Sequence, residues 1–156
     1  MSLDTLSGLI SLGWSHKYAR RQWNLVDNKE LDYHYLGDFD REMLKVIKSE
    51  KDFNKTPVQE IWHNDGDQVL AYMRGDIIFV FNFSPNRSYT DYGFIVPEGA
   101  YEVVLNTDSK DFGGNGLNDD SITHFTNYDK LYAQDGKGWL KLYLPARSAV
   151  VLRKKK

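Results

Sequence analysis

The run from Ile77 to Phe83 constrains the fold more than any other part of this 156-residue chain. Every side chain in the run except Asn82 is apolar, so a strand formed here is expected to be buried on both faces. Turn-forming residues follow at 84–88, and the next segment mixes tyrosines with polar residues. The pattern is typical of a central strand in a two-layer β-structure.

Segments with a two-residue hydrophobic period continue from Val58 to the end of the chain. Asp65-Gly66 predicts a two-residue hairpin turn with positive φ at both central residues, and Gly75-Asp76 fits the other two-residue type. Short strands separated by such turns indicate a mainly β fold, an antiparallel Greek-key β-sandwich. The strands are predicted near 58–64, 68–74, 76–83, 89–96, 100–106, 121–126, 130–133, 138–144 and 147–153.

The residues before these strands show a helical period instead. One helix is predicted from Trp14 to Asp27, and a second is predicted to begin with Asp38 as its N-cap and to continue through Lys48. The apolar stripe of the second helix consists of Phe39, Met43, Val46 and Ile47.

Three regions follow from this change of period. Residues 1–13 have no clear periodicity and are interpreted as a leader or cloning remnant. Residues 14–55 form a short helical segment, and Thr56-Pro57 marks the boundary to a β domain at 56–156.

Composition excludes several classes of protein. A formal net charge of −2 gives no nucleic-acid footprint, and the chain has no cysteine for a disulfide framework or a zinc finger. No apolar run is long enough to span a bilayer, and no signal-peptide pattern is present. We therefore expect a cytoplasmic protein that binds neither nucleic acid nor membrane.

No group of residues predicts a catalytic, cofactor or metal site. The four histidines are scattered, and Gly113-Gly114-Asn115-Gly116 lacks the lysine and helix of a phosphate-binding loop. Acidic and amide side chains surround that loop, where an oxygen-ligand cation site is an alternative to the favoured solvated loop. These residues are Asp108, Asp111, Asn118, Asp119 and Asp120.

Aromatic residues are the remaining binding candidates. Aromatic faces bind the apolar faces of sugar rings, while neighbouring polar groups bind the hydroxyls. The alternative is that the same rings pack in the core or on a sheet face. The possible sugar contacts are Trp62, Tyr89, Tyr92, Phe112 and Trp139, with Tyr128 and Tyr132 as further candidates.

Several separate segments resemble the C-terminal end of 1,4-α-glucan (glycogen) branching enzymes, the eukaryotic type above all. The resemblance covers about Trp14 to Lys156. It is carried by Tyr18-Ala19-Arg20-Arg21-Gln22-Trp23-Asn24-Leu25, Tyr35-Leu36-Gly37-Asp38-Phe39-Asp40-Arg41, Phe79-Val80-Phe81-Asn82-Phe83-Ser84-Pro85, Ser88-Tyr89-Thr90-Asp91-Tyr92 and Leu144-Pro145-Ala146-Arg147-Ser148-Ala149.

The resemblance implies a member of the α-amylase superfamily, in which an N-terminal sandwich and a (β/α)8 barrel precede a C-terminal all-β domain. Residues 14–55 would then be the helical tail of the barrel. The family's two catalytic Asp residues and its Glu lie on barrel strands that this chain lacks, so the chain alone is expected to be inactive. No cofactor is implied.

Three hypotheses on function follow. The first is an accessory domain that packs against the catalytic barrel of a branching enzyme. The second is a free-standing module that binds α-glucan such as glycogen or amylopectin. The third is an interaction scaffold that forms a homodimer through exposed apolar stripes of the helices within residues 14–50.

Overall fold

The computed structural model describes residues 22–51, 53–128 and 136–156. Two compact units are present, Met1–Gly37 and Asp38–Lys156, and the first is described from residue 22 onward. The predicted leader, the first part of the predicted helix at 14–27, the strand at 130–133 and Tyr132 lie outside the described residues.

Helix α1 spans Asn24–Asp27, and helix α2 spans Tyr33–Ser49. The prediction that a helix begins at Asp38 is wrong, because α2 runs through Gly37 and Asp38 without a break. The chain has already turned upstream, where the Asn28 side chain accepts the backbone N–H of Glu30. A glycine inside a helix costs only about 1 kcal/mol, which the longer helix tolerates. No helix of the described residues is long and apolar enough to cross a membrane.

Eight strands make up the β unit. In chain order they are β1 Gln59–Asn64, β2 Val69–Arg74, β3 Ile77–Asn82, β4 Tyr89–Pro97, β5 Ala100–Asn106, β6 Thr123–Phe125, β7 Lys137–Leu144 and β8 Ser148–Lys154. They match the predicted strands to within two residues, apart from the prediction at 130–133. Short 3-10 helices lie at Phe53–Lys55 and Lys110–Phe112.

The strands form two antiparallel sheets. One has six strands in the order β1-β2-β3-β8-β5-β6, and the other pairs β4 with β7. The connections from β3 to β4, β4 to β5, β6 to β7 and β7 to β8 each pass from one sheet to the other. The predicted antiparallel sandwich is confirmed.

The main core lies between the two sheets. Inward residues of the large sheet, such as Ile78, Val80 and Leu152, meet Phe94 and Leu140 of the small sheet, and all five are fully buried. The opposite face of the large sheet carries a second, smaller cluster around Ile77, Leu105 and Val151. Because α2 covers that cluster, β3 is buried on both faces, as its sequence predicted.

The two predicted hairpin turns differ in outcome. Gly75-Asp76 is a two-residue turn with positive φ at Gly75 alone (64°), which confirms the predicted type. The prediction of a two-residue turn at Asp65-Gly66 is wrong, because Asn64 pairs with Val69 across a four-residue loop. The Asn64 side chain accepts the N–H of Asp67 and favours the longer loop, in which Gln68 adopts the positive φ.

Asn82 is the principal buried polar residue at the end of β3, with 2% of its surface exposed. Its Nδ2 lies 2.9 Å from the carbonyl oxygen of Arg87, 3.0 Å from that of Pro145 and 3.2 Å from that of Leu144. Its Oδ1 accepts the N–H of Ser84 at 3.0 Å. One side chain therefore joins the turn after β3 to the turn between β7 and β8.

We expect Asn82→Asp to destabilise the fold strongly, because one carboxylate oxygen would replace Nδ2 and face backbone carbonyls in a buried site. The loss should be at least about 3 kcal/mol of unfolding free energy, since a buried group left unpaired and charged costs that much. Urea unfolding followed by circular dichroism measures it. The matched control is Asn86→Asp on the exposed turn, which should change stability little, and equal effects at the two positions would contradict the role of Asn82.

Tyr101 places its phenol in the core with 1% exposure, and its hydroxyl donates to the carbonyl of Pro97 at 2.6 Å. Burial raises the pKa of Tyr101 to about 12, and the charge of Asp76 adds to that shift. Burial also raises the pKa of Tyr72 and of Tyr92. The folded protein therefore keeps these protons to a higher pH than the unfolded chain does.

This difference predicts alkaline unfolding. The stability that Tyr101 confers is intact below about pH 10, where the phenol of the unfolded chain begins to ionise, and falls as the pH rises towards 12. The slope is about 1.4 kcal/mol per pH unit. Urea midpoints measured between pH 9 and 12 test it, and Tyr101→Phe should flatten the dependence. An unchanged slope in that variant would assign the alkaline loss to other groups.

Candidate functional site

Three of the five predicted glucan contacts meet around Asp67 in the loop between β1 and β2. Nε1 of Trp62 donates to the hydroxyl of Tyr92 at 3.0 Å, and that hydroxyl donates to Oδ2 of Asp67 at 3.0 Å. The hydroxyl of Tyr89 donates to the backbone carbonyl of Asp67 at 2.9 Å, and the rings of Tyr89 and Tyr92 lie 5.1 Å apart.

This arrangement, the Asp67 cluster, joins the two sheets. Trp62 lies on β1 of the large sheet, Tyr89 and Tyr92 lie on β4 of the small sheet, and all three pack against the main core. Asn64 completes the cluster by donating from Nδ2 to Oδ2 of Asp67 at 2.9 Å. Their polar atoms bind one another, which gives them a structural role. That they also contact glucan stays a prediction.

Phe112 lies elsewhere. It packs edge-on against Phe39 of α2, with ring centroids 5.3 Å apart, over the second cluster of the large sheet. Residues 39, 43 and 46 of α2 are half-buried there. The expectation that the apolar stripe of this helix is exposed is therefore wrong for those three residues, because the sheet itself covers them.

Trp139 occupies a third position, on β7 of the small sheet, where its backbone pairs with Asn127. Its indole lies over Gly93 of β4, and a Cβ at Gly93 would come within 2.9 Å of the ring. The glycine thus makes room for the tryptophan. The five predicted contacts therefore divide among three places, and only Trp62, Tyr89 and Tyr92 are brought together.

The glycine-rich loop after β5 is built around Asp108, which is 7% exposed. Its carboxylate accepts the N–H of Asn115 at 3.1 Å and that of Leu117 at 2.7 Å. A Cβ at Gly114 would lie 2.3 Å from the Asp108 backbone, so only glycine allows this close approach. No three acidic or histidine side chains of the described residues are grouped to hold a metal ion.

Sequence reasoning missed an aromatic ladder on the outer face of the large sheet. Tyr72 stacks on Phe79 at 4.7 Å and on Phe81 at 5.8 Å, and Phe81 stacks on Phe83 at 5.6 Å. The signal was present as phenylalanine at positions 79, 81 and 83, the last of which lies just beyond β3. It was hidden because β3 is apolar on both faces, so the outer rings looked like ordinary core.

Comparison with known proteins places residues 61–155 in the family described as "Alpha amylase, C-terminal all-beta domain". The chain is 38% identical to a 1,4-alpha-glucan-branching enzyme of Saccharomyces cerevisiae over 92% of its own length and 20% of that protein. It is 37% identical to the enzyme of that name from Eremothecium gossypii, over 90% of the chain and 20% of the relative.

A plant relative gives the same result. The 1,4-alpha-glucan-branching enzyme, chloroplastic/amyloplastic, of Oryza sativa is 40% identical over 73% of the chain and 14% of its own length. The chain thus spans a fifth or less of the curated relatives named here.

We expect Tyr92→Phe to lower the free energy of unfolding by about 1 to 2 kcal/mol, because it removes the hydroxyl that links Trp62 to Asp67. Urea unfolding checks the change, with Tyr128→Phe at an exposed tyrosine as the matched control. Asp67→Ala added to Tyr92→Phe should cost less than the sum of the two single losses. Additive losses would contradict a shared network.

Proposed function

Because the chain belongs to the family of alpha amylase C-terminal all-beta domains, we propose that it is the C-terminal accessory domain of a 1,4-α-glucan branching enzyme. In that enzyme it supports the catalytic barrel, which transfers α-1,4-glucan chains to form α-1,6 branches. The proposal includes a cytoplasmic location, with which a chain free of cysteine is compatible.

The extent of the similarity carries the proposal. The family match covers residues 61–155, whereas the yeast branching enzyme aligns over 144 residues. An alignment of that length within 156 residues must include α2, which lies outside the family match. The likeness to branching enzymes therefore extends beyond the β domain that many α-amylase relatives share.

The packing of α2 supports a scaffold role. Phe39, Met43 and Val46 lie against the outer face of the large sheet, and Arg153 of β8 reaches back to Glu50 just after the helix, Nε to Oε1 at 2.8 Å. The guanidinium also donates to Oγ of Ser49 at 2.7 Å. The part of α2 from residue 38 onward is thus held against the sheet. In the proposal α2 is the last helix of the barrel, so these contacts attach the β domain to it.

Exposed apolar side chains support a further partner surface in the first unit. Trp23, Val26, Tyr33 and Leu36 are each 40% exposed or more. In the proposal these residues face the catalytic barrel. Without the barrel, the same surface is available for a homodimer of this chain.

A chimera tests the proposal. In the Saccharomyces cerevisiae relative, this chain replaces the segment that it matches. We expect the chimera to branch amylose at a rate within about tenfold of the parent, because the domain supports the barrel without taking part in chemistry. Loss of the iodine–amylose absorbance measures branching.

The control proteins distinguish a supporting role of this domain from a catalytic role. The relative without the segment should lose activity or solubility, and this chain alone should leave amylose unchanged. Asn82→Asp within the chimera should lower its thermal stability, and Asn86→Asp should not. A folded chimera without activity, or turnover by the chain alone, would overturn the proposal.

A further inference from the structure

The aromatic ladder ends at Phe83, one residue beyond β3. Its ring is parallel to that of Phe81, with an interplanar angle of 3°, so Phe81 occupies one face. Phe83 is nevertheless 60% exposed. No other ring of the described residues is in stacking contact with it, which makes Phe83 the solvent end of the stack.

An open cleft lies beside Phe83, with a volume of about 370 Å³. Leu70 and Phe83 supply the apolar part of its lining, and Glu60, His63 and Gln68 supply polar groups. Sites for small molecules in proteins have volumes of about 300 to 1,000 Å³ and combine apolar walls with a few polar groups. The cleft has both properties at the lower end of this range.

The charges in the cleft restrict its ligand. Two carboxylates, those of Glu60 and Asp65, lie in its lining, and His63 Nε2 is 2.8 Å from Oδ1 of Asp65. Such a site disfavours an anion. It suits a neutral molecule that brings hydroxyl donors to the carboxylates and an apolar face to the phenylalanine ring.

We propose that this cleft binds one neutral pyranose ring, with the sugar's C–H face stacked on Phe83. The Glu60 carboxylate accepts hydrogen bonds from its hydroxyls, and the Gln68 amide accepts or donates them. The choice of an α-1,4-linked glucosyl unit rests on the proposed function, whereas the preference for a neutral pyranose rests on the cleft itself.

Phe83 suits this role better than the aromatic residues that the sequence singled out. The indole N–H of Trp62 and the hydroxyls of Tyr89 and Tyr92 are used within the Asp67 cluster. Phe112 lies under α2 against Phe39. Phe83 combines high exposure, one supported face and polar neighbours.

Binding of maltoheptaose to the complete chain tests the site. We expect weak binding by calorimetry and retardation of the chain in a native gel that contains amylopectin. Phe83→Ala should weaken binding about tenfold or more, because it removes the aromatic surface on which the sugar stacks; tenfold corresponds to about 1.4 kcal/mol. Phe83→Tyr keeps the ring and should keep the affinity, whereas Phe83→Leu should not.

Phe125→Ala is the matched control, since Phe125 is 66% exposed at the edge strand β6 and lies outside the cleft. It should bind as the unaltered chain does. In the complex, sugar protons on the stacked face should shift upfield from the ring current of Phe83. Circular dichroism of each variant checks that it is folded.

Two results would overturn the inference: no binding of maltoheptaose by the unaltered chain, or equal losses in Phe83→Ala and Phe125→Ala. Equal binding of sulfated and neutral oligosaccharides would also contradict it, because the acidic lining should reject the anion. These outcomes leave the chimera result untouched, since support of the barrel does not require a sugar in this cleft.

Discussion

The sandwich depends on how Asn82 closes the end of β3. Three carbonyls from two separate turns converge on its amide nitrogen, and its oxygen accepts the N–H of Ser84. Buried carbonyls without a donor would each cost about 1 to 3 kcal/mol. Asn82 therefore joins the place where the chain leaves the large sheet after β3 to the place where it returns before β8, and Ser148 adds a second donor to the carbonyl of Pro145 at 2.7 Å.

Much of the fold could be read from the sequence because its signals are local. The hydrophobic pattern of the strands and the positive φ required at Gly75 depend on neighbouring residues alone. The predicted start of the second helix was wrong because the chain turns at Asn28, and α2 begins before the apparent break at Gly37. The predicted length of the first hairpin loop was wrong because a hydrogen bond to the Asn64 side chain favours the longer loop.

The candidate site was harder to predict because aromatic residue type does not reveal what a ring touches. Trp62, Tyr89 and Tyr92 lie near predicted turns in the sequence. Their polar atoms nevertheless converge on Asp67, and the sequence pattern alone does not predict this contact. Phe83 was counted as the end of a buried strand, but its backbone N–H donates to the carbonyl of Gln68 and its side chain is 60% exposed. Whether a side chain at a strand end is exposed depends on where the partner strands end. That depends on the tertiary structure and not on the local sequence.

The position of β8 has a consequence for the order of assembly. It is the last strand along the chain, and it lies between β3 and β5 in the middle of the large sheet. Until β8 is in place, β3 and β5 each present an unpaired edge, which is open to other chains. Because contacts so distant in sequence form slowly, the domain passes through a stage in which the large sheet remains split in two, until β8 pairs with both halves. A chaperone that shields these edges would act at that stage.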